Sequence, residues 1–178
     1  MITVYGGGSW GTALGHVLAS AGHETTLLLR DEEVARAVNE RHENPRYLAG
    51  LPLAPSLRAV TDTAILKDSD VWVLAVPCQS QRNVLESVHE LARPETVIVN
   101  AAKGIELNSL KPLSVVSAEA LHETERDMRR RYAMLSGPSF AREVIENKPS
   151  AVVLGCADEE LGARLRAMFA TPFFRCYS

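Results

Sequence analysis

Ile2-Thr3-Val4-Tyr5-Gly6-Gly7-Gly8-Ser9-Trp10-Gly11 opens the chain and decides its fold. Four residues of strand character run straight into a G-x-G-x-x-G spacing, and Thr12-Ala13-Leu14-Gly15-His16-Val17-Leu18-Ala19 continues as a helical pattern. A strand, a glycine turn and a helix in that order predict a seat for a pyrophosphate. The first N–H groups of the helix have no intrahelical partner, and the aligned peptide dipoles make that end positive. In this reading Gly6 permits the tight turn, Gly8 lets phosphates approach the backbone, and Gly11 lets the helix lie close to the strand. The helix ends at Ala21 with Gly22-His23 as a left-handed cap, and residues 25–29 read as a second strand. The whole is a βαβ unit of about 30 residues, the length a dinucleotide-binding turn requires.

The end of the second strand bears on which dinucleotide is held. An acidic residue there bonds the adenosine ribose 2′-hydroxyl, whereas an arginine accommodates a 2′-phosphate. Here Arg30 is followed by Asp31. Arg30 suits a phosphate or the face of an adenine. Asp31 suits the hydroxyl, and suits equally well the capping of a helix that starts near Glu32. The pair favours NADP and leaves NAD open.

Strand and helix patterns alternate along the rest of the chain. Strands are expected at 57–60, 71–76, 96–99, 132–135, 151–154 and 173–177, and helices at 32–41, 61–67, 79–91, 112–122 and 159–169, with a short helix start at Ser139. The unbroken apolar run Val71-Trp72-Val73-Leu74-Ala75-Val76 reads as a central strand buried on both faces, with Trp72 in the core. The expected fold is α/β: a Rossmann-type, doubly wound, mostly parallel sheet with helices on both faces, forming one NAD(P)-binding domain over residues 1–178.

Composition narrows the function classes. With 178 residues and 46% hydrophobic content, the chain has the material for a sizeable core. Its net charge of −3 gives no basic footprint for nucleic acid, and Arg129-Arg130-Arg131 reads as a solvated helix end. Cys78, Cys156 and Cys176 are odd in number and far apart, which predicts no disulfide framework and a reducing, cytoplasmic setting. No metal-ligand spacing is present, no secretory leader is expected, and no apolar stretch is long enough for membrane insertion.

Ligands of doubly wound sheets lie beyond the carboxyl ends of the strands, so the chemistry is sought there. After Val76 comes Pro77-Cys78, where the thiol is expected to be buried. After residues 96–99 comes Asn100-Ala101-Ala102-Lys103-Gly104. Lys103 should overhang the same edge as the glycine turn, either as a fixed cation that holds an anionic substrate or as a flexible surface lysine, with Asn100 as a hydrogen-bonding neighbour. After residues 132–135 comes Ser136-Gly137-Pro138-Ser139-Phe140-Ala141, whose Gly137 and Ser139 offer backbone and hydroxyl donors to an oxyanion or phosphate, or make a plain turn. Trp10 either covers a bound dinucleotide or wedges into the core. The five histidines are scattered and none is paired at ligand spacing.

Taken together, Gly6-Gly7-Gly8-Ser9-Trp10-Gly11-Thr12-Ala13-Leu14, Asn44-Pro45-Arg46-Tyr47-Leu48, Ala75-Val76-Pro77, Ala102-Lys103-Gly104-Ile105-Glu106 and Leu135-Ser136-Gly137-Pro138-Ser139-Phe140-Ala141-Arg142-Glu143-Val144 resemble the bacterial-type NAD(P)-dependent glycerol-3-phosphate dehydrogenases, in the family's order. The resemblance implies reversible reduction of dihydroxyacetone phosphate to sn-glycerol 3-phosphate, feeding phospholipid synthesis. It implies cofactor contacts at Ser9, Trp10, Arg30, Lys103 and Ala141, and substrate contacts at Lys103, Gly137 and Ser139. Cys78 stands where the family often has serine. The resemblance also implies a helical second domain beyond Ser178, carrying the general acid/base lysine and most of the phosphate grip, so that residues 1–178 correspond to the cofactor half and would turn over poorly alone. A homodimer is a further implication for the full-length protein. Two other readings remain: the cofactor half of a hydroxyacyl-CoA, ketopantoate or UDP-sugar dehydrogenase, and a dinucleotide-binding module without catalysis.

Overall fold

In the computed structural model, which describes residues 1–178, strands β1 (Ile2–Tyr5), β2 (Thr25–Leu28), β3 (Arg58–Val60), β4 (Val71–Leu74), β5 (Val97–Asn100), β6 (Tyr132–Ser136), β7 (Ser150–Cys156) and β8 (Phe174–Tyr177) form one sheet in the order β3-β2-β1-β4-β5-β6-β7-β8. From β3 to β6 all pairings are parallel; β7 runs antiparallel to β6, and β8 is parallel to β7. The strand order reverses between β1 and β4, the switch point at which open α/β sheets leave a crevice for ligands.

The helices are α1 (Ser9–Ser20), α2 (Glu32–Arg41), α3 (Gln81–Val88), α4 (Leu113–Ala120), α5 (Glu125–Met128), α6 (Ala141–Ile145) and α7 (Glu159–Phe169). Alternation along the strands sends them to two faces. Ile2, Val4, Val71, Val73, Val97 and Val99 face one side and pack with Leu14 and Leu18 of α1, Val34 and Val38 of α2, Val144 of α6, and Leu165 and Phe169 of α7. Trp72, Leu74 and Ile98 face the other and pack with Leu85 and Val88 of α3, Ala118 and Ala120 of α4, and Met128 of α5. Trp72 is fully buried, and its Nε1 donates to the Leu66 carbonyl at 3.1 Å.

Local chemistry sets where helices begin and end. The Asp31 carboxylate accepts from the Glu33 and Val34 N–H groups and starts α2; that of Asp158 accepts from Leu161 N–H and starts α7. At the end of α1, Gly22 N–H bonds Ala19 O at 3.0 Å, and the Gly22 φ of 88° turns the chain so that His23 N–H reaches back to Leu18 O at 3.1 Å.

Several expectations are corrected. Residues 63–68 form a tight 3₁₀ turn capped by Asp62 rather than an α-helix. Helix α5, of only four residues, is too short to show a helical period in the sequence. The antiparallel direction of β7 was not foreseen; a parallel return needs a helical crossover of a dozen or more residues, and α6 supplies five. Arg131 is not a solvated helix end. It is buried, pairs with the Glu123 carboxylate and donates to the Thr96 carbonyl. Helices cover both faces of the sheet except at β7 and β8, where Val153 and Tyr177 remain more than half exposed.

Candidate dinucleotide site

The glycine turn sits at the switch point. Gly6, just after β1, has φ 127°, and a Cβ there would lie 2.7 Å from the Ala75 carbonyl oxygen beyond β4, so no other residue fits. A Cβ on Gly11 would lie 1.9 Å from Gly6 O, which is impossible without dismantling the turn. Gly8 is different. It precedes α1 with an ordinary extended backbone (φ −73°, ψ 179°), and a Cβ there would meet nothing within 4 Å. The fold does not require glycine at this position, and the space in front of it is open. No side chain caps α1, so its first amides keep their positive end free for an anion. These features fit a diphosphate. Gly7, which the G-x-G-x-x-G spacing leaves unconstrained, is also obligatory: a Cβ would sit 2.5 Å from Leu29 Cβ. That neighbour is apparent only once β1 and β2 are paired.

Around the turn, Trp10 is partly buried and packs against the hydrophobic core, with the rest of its surface open beside the turn. The Ser9 hydroxyl donates to the Tyr47 carbonyl at 3.4 Å. Arg30 is exposed beyond β2 and near enough to Tyr5 to act on its phenol, whose pKa burial raises and the guanidinium partly restores. Asp31 is committed: one oxygen takes the two N–H groups of α2, and the other takes Arg46 Nη1 at 2.9 Å. The Val34 amide first, then Arg46 and the Glu33 amide, hold its carboxyl below the usual range. Of the two roles the sequence left open for Asp31, the structure assigns the cap.

The other wall carries Lys103. Its ammonium donates to the Gly137 carbonyl at 2.7 Å, joining the loops that follow β5 and β6. The loop bearing it is anchored from α3 and the turn before it. Gln79 Nε2 donates to Ile105 O and Gln79 Oε1 accepts from Leu107 N–H, both at 2.9 Å, while Arg82 grips both oxygens of Glu106 at 2.8 Å. Hydrogen bonds from Arg82 and then Ser109 pull the Glu106 carboxyl down to about 2. Asn100 does not bond Lys103; its amide closes on the backbone of Ala102. Cys78 is half-buried rather than buried, with its thiol donating to Ile105 O and its pKa raised chiefly by burial.

Gly137 lies against the backbone of β7, where a Cβ would meet Ala151 O and Val152 Cα at 3.0 Å. The Ser139 N–H turns back to Gly137 O at 3.1 Å, and the helix starts at Ala141, not Ser139. Ala141 is packed on the core beneath α1. The structure thus brings Lys103 and Gly137 into contact, with Ser139 and Ala141 on the same loop, while Ser9, Trp10 and Arg30 flank the glycine turn. A separate cleft of about 980 Å³, lined by Asp70, Glu95, His122, Asp127 and Arg164 among others, opens at the amino edge of the parallel strands, the wrong edge for ligands of such sheets. Residues missed at the sequence level are Gly7 and Asn44; the latter is fully buried and bonded to Gly7 O.

The family model for the NAD-dependent glycerol-3-phosphate dehydrogenase N-terminus matches residues 1–162. The chain belongs to this family. Among relatives, the glycerol-3-phosphate dehydrogenase (NAD(P)+) of Desulfovibrio desulfuricans is 52% identical over 177 residues, a match covering 99% of this chain and 52% of the relative. That of Thermobifida fusca is 42% identical, covering 99% and 52%. The chain therefore spans about half the length of the curated relatives it matches. The crystal structure of glycerol-3-phosphate dehydrogenase from Coxiella burnetii superposes with a TM-score of 0.87 at 30% identity, covering 99% of this chain and 52% of that one. A UDP-D-ManNAc dehydrogenase from Pyrococcus horikoshii superposes with a TM-score of 0.74 at 13% identity, covering 100% and 47%, a likeness of fold alone. No helix is long and apolar enough to cross a membrane.

Proposed function

We propose that residues 1–178 are the dinucleotide-binding half of an enzyme that interconverts dihydroxyacetone phosphate and sn-glycerol 3-phosphate with NADPH or NADH. The observation that carries this is the pairing of two features on one sheet edge: an obligatory glycine turn with open space before Gly8, and the Lys103 ammonium held on Gly137 O at 2.7 Å. In this reading the amides opening α1 hold the diphosphate, with Gly6, Gly8 and Gly11 shaping the turn. Ser9, Trp10 and Ala141 line the cofactor. Arg30, with Asp31 committed elsewhere, receives a 2′-phosphate when one is present. Lys103 touches cofactor and substrate, and Gly137 and Ser139 hold the substrate. When bound, the nicotinamide supplies or accepts the hydride. Lys103 places positive charge where a small phosphorylated ketone would lie. The proton for the carbonyl oxygen is assigned to a second, helical domain, of which these residues are not part.

The proposal extends to a cytoplasmic location, supported by three free thiols, to a homodimer of the full-length enzyme, and to the absence of a nucleic-acid partner, supported by the net charge of −3. The test has two arms. Fluorescence titration of residues 1–178 should show NADPH and NADH bound, without steady oxidation of NADPH by dihydroxyacetone phosphate. Fusion to the carboxy-terminal half of the Desulfovibrio desulfuricans relative should bring that turnover. Failure of the folded chain to retain either nucleotide at millimolar concentration refutes the reading.

A further inference from the structure

Resting on the dinucleotide reading above, we propose that Asn44 is a positioning residue that aims the diphosphate-binding amide of the glycine turn. Asn44 is fully buried in a segment whose next residues, Pro45, Arg46 and Tyr47, are all exposed. Both N–H donors of its amide and one lone pair of its oxygen are used. Nδ2 donates to Gly7 O at 3.0 Å and to Thr12 Oγ1 at 2.8 Å, and Oδ1 accepts from Tyr47 N–H at 3.2 Å. One side chain therefore ties together the turn, the first turn of α1, and the segment from which Arg46 reaches Asp31.

Peptide planarity gives this strut a direction. The C=O and N–H of one trans peptide point opposite ways. Holding Gly7 O toward Asn44 turns the Gly8 N–H away from it, and that N–H donates to no group of the protein. A Cβ on Gly8 would meet nothing within 4 Å, so the same residue has open space at hand. Asn44 fixes the peptide that presents this amide. It touches neither coenzyme nor substrate, and acts through Gly7.

The test measures NADPH and NADH affinity of residues 1–178 at a temperature where circular dichroism shows each variant fully folded. Asn44→Ala is expected to weaken both nucleotides by the same factor, about tenfold, because the diphosphate is common to both. Asn44→Asp keeps the acceptor for Tyr47 N–H but sets carboxylate oxygen against Gly7 O. It is expected to bind weakly at pH 8 and to recover as the pH falls to 5, since only the protonated carboxyl donates to Gly7 O. The original chain should show no such acid recovery, and Leu48→Ala, which hollows the core beneath the same segment, should lower the melting temperature with affinity unchanged. Should Asn44→Ala not fold, Thr12→Val removes the Oγ1 that accepts from Asn44 Nδ2 together with that hydroxyl's own 3.4 Å bond to Gly7 O, and is expected to weaken binding about threefold. If the original chain binds but the folded variants bind within about twofold of it, this inference alone is overturned. If the original chain retains neither nucleotide, both readings are overturned together.

Discussion

Gly8 and Gly11 stand three residues apart and differ in what a methyl group would meet. At Gly11 it would lie 1.9 Å from Gly6 O; at Gly8 it would meet no protein atom within 4 Å. Gly11→Ala is therefore expected to destabilise the fold by several kcal/mol, on the order of the largest single-site losses. Gly8→Ala should leave the melting temperature nearly unchanged while weakening NADPH and NADH at least tenfold, as a titration beside a melting curve would show. A Gly8→Ala chain that binds as before would remove the phosphate from the space in front of that residue. Arg30 makes a separate claim. Arg30→Ala should weaken NADPH more than NADH, by about tenfold or more for the lost charge-assisted contact, and equal losses in parallel titrations would refute a 2′-phosphate role. At this scale the structural need for glycine at Gly6 and Gly11 was legible in spacing, and the same spacing marks Gly8 and the strand-end Arg30 as the candidates those titrations test. It concealed those whose duty arises from pairing distant segments. Gly7 is forced by Leu29, and Asn44 is bonded to Thr12 across 32 positions.

At the scale of elements, the loop after β5 is held by charge. Arg82 bonds both oxygens of Glu106 and also reaches Glu119, which pairs in turn with Lys111. The Glu106 carboxyl falls from the ordinary value of 4.5 to about 2 in the folded chain. A depressed folded value means that the unfolded chain binds the proton more readily, so the contribution is complete above pH 4.5 and is lost as the pH falls toward 2. The melting-temperature gap between the original chain and Glu106→Gln should hence be flat from pH 7 to 5 and close progressively below 4.5. A gap unchanged down to pH 2.5 would show that the ion pair does not anchor the loop. Elements that carry their own signals were legible, as with α2 and α7, each opened by an aspartate and each matching its expected span. The direction of β7 was not legible, because an alternating strand reads the same both ways. The start of α6 was displaced by two residues, because the Ser139 N–H turns back on Gly137 O.

For the molecule as a whole, the two-sided sheet followed from continuous apolar runs such as residues 71–76, and the shared direction of the parallel strands puts every candidate residue on one edge, where the reversal of order between β1 and β4 opens the crevice. The half-bare face of β7 and β8 was not legible, since Val153 and Tyr177 are residue types that ordinarily fill cores. The contact between Lys103 and Gly137 has a consequence for the thermodynamics of recognition. A lysine stem surrenders considerable torsional freedom when it is fixed, and here part of that loss falls within folding itself. An arriving anion would meet an ammonium already aimed, with two protons still to give, and most of the entropy left to lose would be the guest's own.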